Sequence, residues 1–193
     1  METKERLAEL VRILSVPPVM VAGLLLILYF FGSQPFAKPL ELGISLVLLG
    51  LVPLLAYPMQ PLLPAYRSGG REAQRKLAFL FTGVGYTLAL IYVLVVPVST
   101  AIRAICVSYF LSALFLTLCN KVLHRRASGH ACSAAGPLLF FIRYLGWGAL
   151  LPCVIGAALI AWASLTLRRH TPGELLWGTL CSVAGFALAV TFI

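Results

Sequence analysis

Two short stretches of this chain carry residue types that can handle a phosphate. The first is His124-Arg125-Arg126-Ala127-Ser128-Gly129-His130, running on into Ala131-Cys132-Ser133. It falls where a helix should begin. A helix start presents free N–H groups and partial positive charge, so it favours an anion. Ser128 is placed to cap that helix or to donate to a phosphate oxygen, and Gly129 lets backbone approach closely. Arg125 and Arg126 offer paired hydrogen bonds to phosphate oxygens. His130 enters apolar sequence, where an ionisable side chain is costly and marks function.

The second stretch is Arg168-Arg169-His170-Thr171-Pro172-Gly173-Glu174. Thr171 reads as an N-cap, Pro172 as the first helical residue and Glu174 as the reciprocal acid of a capping box. That pattern accounts for three residues without any chemistry, and leaves His170 behind two arginines unexplained. On the functional reading, Glu174 lies one turn on from His170, bonds one ring nitrogen and fixes the tautomer. The opposite nitrogen is then free to attack phosphorus.

A third stretch, Arg67 to Lys76, is a glycine turn followed by a basic helical start. Arg75 is its candidate anion contact, although a solvated, topology-setting loop has the same composition. Three histidines and one nearby carboxylate have no recognised metal-ligand spacing. There is no Walker loop or nucleotide fingerprint, so no metal or cofactor is expected.

The elements that must position these residues follow from composition. Of 193 residues, 61% are hydrophobic and 11% charged, against about 25% charged in soluble domains. So few charges cannot cover a water-facing surface, and lipid is the solvent. A span needs about 20 mostly apolar residues. Seven stretches are expected to cross, at about 13–31, 40–57, 77–98, 100–122, 129–145, 148–167 and 172–193. They form one all-α, polytopic transmembrane bundle covering residues 1–193. The segment 58–76 is expected as a polar loop, and the turn at Gly146-Trp147-Gly148 as a tight one. The charged N-terminus runs into a full span without a cleavage site, so no signal peptide is expected. The five cysteines show no C-x-x-C pair and are expected as buried free thiols.

Charge orients the bundle. With the N-terminus in the cytoplasm, twelve of the fifteen Lys and Arg fall on that face, leaving Lys38, Arg103 and Arg143 on the other. This fits an N-in, C-out chain in the inner or plasma membrane of a prokaryote. The net charge of +9 then points to anionic lipid and not to nucleic acid. Two spans separate each polar loop from the next, so all three open on one face.

The two histidine stretches resemble the type 2 phosphatidic acid phosphatase superfamily. Its central Ser-Gly-His at a helix start is matched by Ser128-Gly129-His130. Its last motif, a histidine followed four residues later by an acid, is matched by His170 and Glu174. Short bacterial and archaeal members have a basic residue two before the serine, then Ser-Gly-His-Ala, a Gly-Pro, and a Trp-Ala stretch leading to Arg-His-Thr. Arg126, Ala131, Gly136-Pro137, Trp162-Ala163 and Arg169-His170-Thr171 look like that pattern. Glu174 stands where the family has aspartate, and Ser164 where it has an arginine.

The resemblance implies a metal-independent hydrolase. His170 attacks the phosphoryl group and forms a phosphohistidine, His130 protonates the leaving group, and water completes turnover. Arg126, Arg169, Arg125, Arg168, Arg75 and the Ser128–Gly129 helix start are the expected phosphate contacts. The expected substrate is an isoprenoid or glycerolipid (di)phosphate whose tail lies between helices, and the partner is membrane lipid. The alternative is a catalytically degenerate relative that binds anionic lipid or a membrane partner.

Overall fold

A helix satisfies its own backbone, which is why apolar runs of this length fold as helices in lipid. The computed structural model of the chain describes residues 3–32, 36 and 38–193. Met1, Glu2 and the Arg71 side chain, which enter the charge reading, lie outside the described residues. The structure is 83% helical, with no strand among the described residues. Its elements are α1 (Thr3–Leu14), α2 (Pro17–Phe31), α3 (Pro39–Leu62), α4 (Gly70–Val95), α5 (Thr100–Lys121), α6 (Gly129–Leu145), α7 (Leu150–Thr166) and α8 (Pro172–Phe192).

Five segments have the length and apolarity to cross a bilayer: α3, α4, α5, α8, and α7 together with the turn that precedes it from Trp147; counting the bent pair α1–α2 as one span brings the number to six. The seven-span expectation also counts α6, whose 17 residues lie at the short end of what spans. Helix starts at Gly129 and Pro172 match the expected span starts, and the turn after α6 is tight, with Gly146 at φ +81°.

Three local features differ from expectation. The first span is not straight. Helix breaks at Ser15 and Val16 and resumes at Pro17, with a 61° bend. Pro17 and Pro18 lack N–H groups, and proline pushes the residue before it out of helical geometry. Accordingly, Val16 is extended (φ −64°, ψ 147°). The loop expected over 58–76 shrinks to 63–69, because α3 runs to Leu62 and α4 starts at Gly70. The Glu72–Lys76 ion pair at 2.9 Å has the i,i+4 spacing that supports a helical first turn. Finally, Leu46–Leu51 winds as a π-helix within α3, just before Pro53 interrupts the ladder.

Small residues bring the helices together where lipid supplies no hydrophobic drive. α8 packs on α5 and α6, and α6 also packs on α2 and α7. At the α5–α8 crossing, a Cβ on Gly185 would lie 2.8 Å from the Ser112 nitrogen and 2.9 Å from the Ser108 carbonyl oxygen. Only glycine fits that approach. The five cysteines are buried free thiols. At the end of the bundle away from the polar loops, the buried Glu41 carboxylate accepts from the Ser99 N–H, 3.3 Å from each oxygen, and ties α3 to the start of α5.

Candidate functional site

The loops 122–128 and 167–171 meet at one end of the bundle, and backbone contacts hold them there. The Ser128 N–H donates to the Glu174 carbonyl at 2.8 Å. One turn further along α8, Gly178 lies directly against Ser128. A Cβ at Gly178 would overlap the Ser128 carbonyl oxygen and come within 3.1 Å of its nitrogen. The start of α6 is therefore seated on the first two turns of α8, and the two histidine stretches become one locus.

Glu174 is shared between two tasks. Its Oε2 lies 3.0 Å from His170 Nδ1 and accepts from the Thr171 N–H at 3.3 Å, while its own N–H donates to Thr171 Oγ1 at 3.3 Å. The capping box is complete. The same carboxylate also grips the histidine, so capping and orientation are not competing explanations. With Nδ1 engaged, Nε2 is the remaining ring nitrogen. The other oxygen, Oε1, stands 3.9 Å from Arg126 Nε.

Ser128 acts as the N-cap of α6. Its hydroxyl accepts from the Ala131 N–H at 3.2 Å, and the residue is 1% exposed. Gly129 is the exposed first residue of the helix. Arg125, Arg126, Arg168 and Arg169 are all exposed around this end. They give this end of the bundle a cationic rim, with Arg126 turned toward Glu174. Arg75 is also exposed, on α4, which packs on α5 and α3.

The backbone feeding both stretches is strained. Among the described residues, two non-glycine positions have positive φ: His124 at 50° and Arg168 at 48°. Arg168 occupies the position after the α7 C-cap, usually glycine. Its N–H donates to the Leu165 carbonyl and the Arg169 N–H to the Ser164 carbonyl, each at 3.0 Å, which completes a Schellman closure. After α5, the Arg125 N–H bonds the Cys119 carbonyl at 2.9 Å across His124. Left-handed geometry costs a non-glycine residue about 1–2 kcal/mol, and such cost gathers at working sites. His124→Gly is therefore expected to raise thermal stability in detergent by about 1 kcal/mol. A lower melting temperature would show that the imidazole contributes more than the backbone loses.

Ser15 and Arg12, neither singled out from sequence, belong to this locus. Ser15 Oγ lies 2.8 Å from His130 Nε2, and Arg12, one turn earlier on α1, is ion-paired with Glu9. The available signal was a polar residue just before a double proline, at a break that must face something. Gly178 was also missed. Its signal is the small-residue spacing Gly178, Ser182, Gly185 along α8.

Beside the locus, a cavity of about 230 Å³ opens between α6, α7 and α8, lined by residues including Ala131, Ala135, Ile142, Ala157, Leu175 and Val183. Ala131 and Leu175 adjoin His130 and Glu174 in sequence, so the apolar space begins where the polar site ends. Along α6 it runs from Ala131 to Ile142, about 16 Å at the helical rise. Among the described residues no group of three or more His, Cys, Asp or Glu gathers where a metal ion could be held. No family model, curated protein or solved structure matches the chain.

Proposed function

We propose that this chain is a membrane-embedded lipid phosphatase that works through a phosphohistidine on His170. The observation that carries the reading is the His170 Nδ1–Glu174 Oε2 bond at 3.0 Å, formed beside the helix start that bears His130. A histidine held at Nδ1 by a carboxylate has a defined tautomer and a nucleophilic Nε2. The charge that develops on the phosphoryl oxygens needs fixed donors and cations. Arg126, Arg169, Arg125 and Arg168, exposed in the two loops, would supply the cations, and the N-terminal N–H groups of α6 their partial charge.

His130 serves as the acid that protonates the leaving oxygen. The reaction needs no metal, because the histidine is the nucleophile and the cations are arginines. The apolar cavity beside the site favours an amphiphilic phosphate. At about 16 Å along α6, it extends through about half of the ~30 Å hydrocarbon layer, the depth of one leaflet. The excess of Lys and Arg around the site supports a cytoplasmic location for this face.

The test is chemical. Purified protein in lipid nanodiscs, with chelator present, is expected to release inorganic phosphate from a prenyl monophosphate. Brief exposure to substrate labelled at phosphorus should leave an acid-labile, base-stable label on the protein. Binding of the lipid phosphate with neither release nor label would replace the enzyme by a lipid-binding relative.

A further inference from the structure

We infer that Ser15, at the α1–α2 break, is a positioning residue for His130, which makes the N-terminal hinge part of the active site. This rests on the phosphatase reading for its chemistry, though not for its geometry. A serine hydroxyl has one proton and two lone pairs. Ser15 Oγ–H donates to the Val11 carbonyl at 2.8 Å, with the Arg12 carbonyl next at 3.3 Å. That uses the proton. Toward His130 Nε2, 2.8 Å away, the oxygen therefore accepts, and Nε2 carries the ring hydrogen. Ser15 is 3% exposed, so bulk water does not compete for the bond.

The bend supplies this hydroxyl. In an unbroken first span Ser15 would lie along a helix axis. Pro17 and Pro18 break the helix with a 61° bend; α1 packs along α7, and Ser15 at its end meets His130 at the start of α6. Holding Nε2–H leaves Nδ1 as the nitrogen that exchanges a proton with substrate. In the first step His170 Nε2 bonds to phosphorus as the bond to the leaving oxygen breaks. Imidazolium His130 gives its Nδ1 proton to that oxygen and becomes neutral, keeping Nε2–H on Ser15. In the second step water attacks phosphorus, its proton returns to His130 Nδ1, and the phosphorus–His170 bond breaks.

The experiment pairs nitrogen NMR with kinetics on full-length protein in nanodiscs, with ¹⁵N-labelled histidine assigned through His124→Asn and His170→Asn. Wild-type His130, when neutral, is expected as a single Nε2–H tautomer. Ser15→Ala should give a tautomer mixture and lower kcat for a prenyl monophosphate by about 10- to 100-fold, part of a general acid's usual contribution, with KM changed less than twofold. Ser15→Thr, which keeps the hydroxyl, should restore both. A wild-type ring without tautomer preference, or a Ser15→Ala protein with an unmoved ring or unmoved kcat, overturns the assignment. A ring that responds to Ser15→Ala in a protein that turns nothing over leaves Ser15's hold on His130 standing and removes the phosphatase reading alone.

Discussion

His170→Ala is expected to release no detectable phosphate and to take up no label, while melting within a few degrees of the wild-type protein. Removing a covalent nucleophile costs on the order of 10⁶ in kcat where the group acts as part of a unit. The side chain is an ordinary loss for folding, because its resolved bond is to a carboxylate that keeps its capping role with Thr171. The informative companion is Glu174→Gln. Glutamine satisfies a capping box as glutamate does, so the start of α8 should stay intact. The amide cannot hold the imidazole as the carboxylate does, and no longer stabilises positive charge on it. A loss of about 10³- to 10⁴-fold in kcat is expected, as for other histidines deprived of their orienting carboxylate. If Glu174→Gln instead lowered stability and left kcat alone, Glu174 would be a cap and nothing more. Residual turnover in His170→Ala would move the nucleophile elsewhere.

Gly178→Ala is the second large effect, and its sign is decided by two opposed magnitudes. In an open helix interior, alanine gains about 1 kcal/mol over glycine. At Gly178 the new methyl would overlap a backbone oxygen, that of Ser128, which cannot rotate aside. Overpacking of this kind costs about 1–3 kcal/mol or more, so the variant should be destabilised despite its better propensity. The functional loss should be larger. Separating α8 from the α6 start by about an ångström shifts His130 against His170, and such misplacement costs about 10²-fold in rate. Gly83→Ala is the control, since a Cβ there meets nothing within 4 Å. It should be neutral or stabilising, with full activity. Equal behaviour of the two variants in melting and phosphate release would refute the close α6–α8 seating.

Much of the architecture was legible because lipid imposes a single rule. An apolar run of about 20 residues must hydrogen-bond to itself, so the starts at Gly129 and Pro172 followed from a serine or threonine cap next to such a run. The π-turn at Leu46–Leu51 and the shortened loop at 63–69 were not legible. Both depend on how local hydrogen bonds redistribute around a proline or an ion pair, which hydropathy does not register. The site divides in the same way. His170 and Glu174 are four residues apart, so helical geometry alone brings them together. Ser128 and Gly178 meet only because α6 and α8 pack, and Ser15 meets His130 across 115 positions of chain. Contacts of that range depend on the tertiary arrangement. A glycine on an apolar helix, or a serine before two prolines, reads as ordinary punctuation until the partner is known.

The shortness of α6 has a consequence for where the chemistry happens. Seventeen residues extend about 25 Å, less than the ~30 Å hydrocarbon thickness. At its far end Trp147 is 82% exposed, and exposed tryptophans settle at headgroup level. With that end anchored, the Ser128–His130 end comes to rest a few ångströms beneath the opposite surface unless the bilayer thins locally to meet it. On the proposed function, a substrate phosphate would have to sink below its neighbours to be reached, and thicker membranes would lengthen that descent.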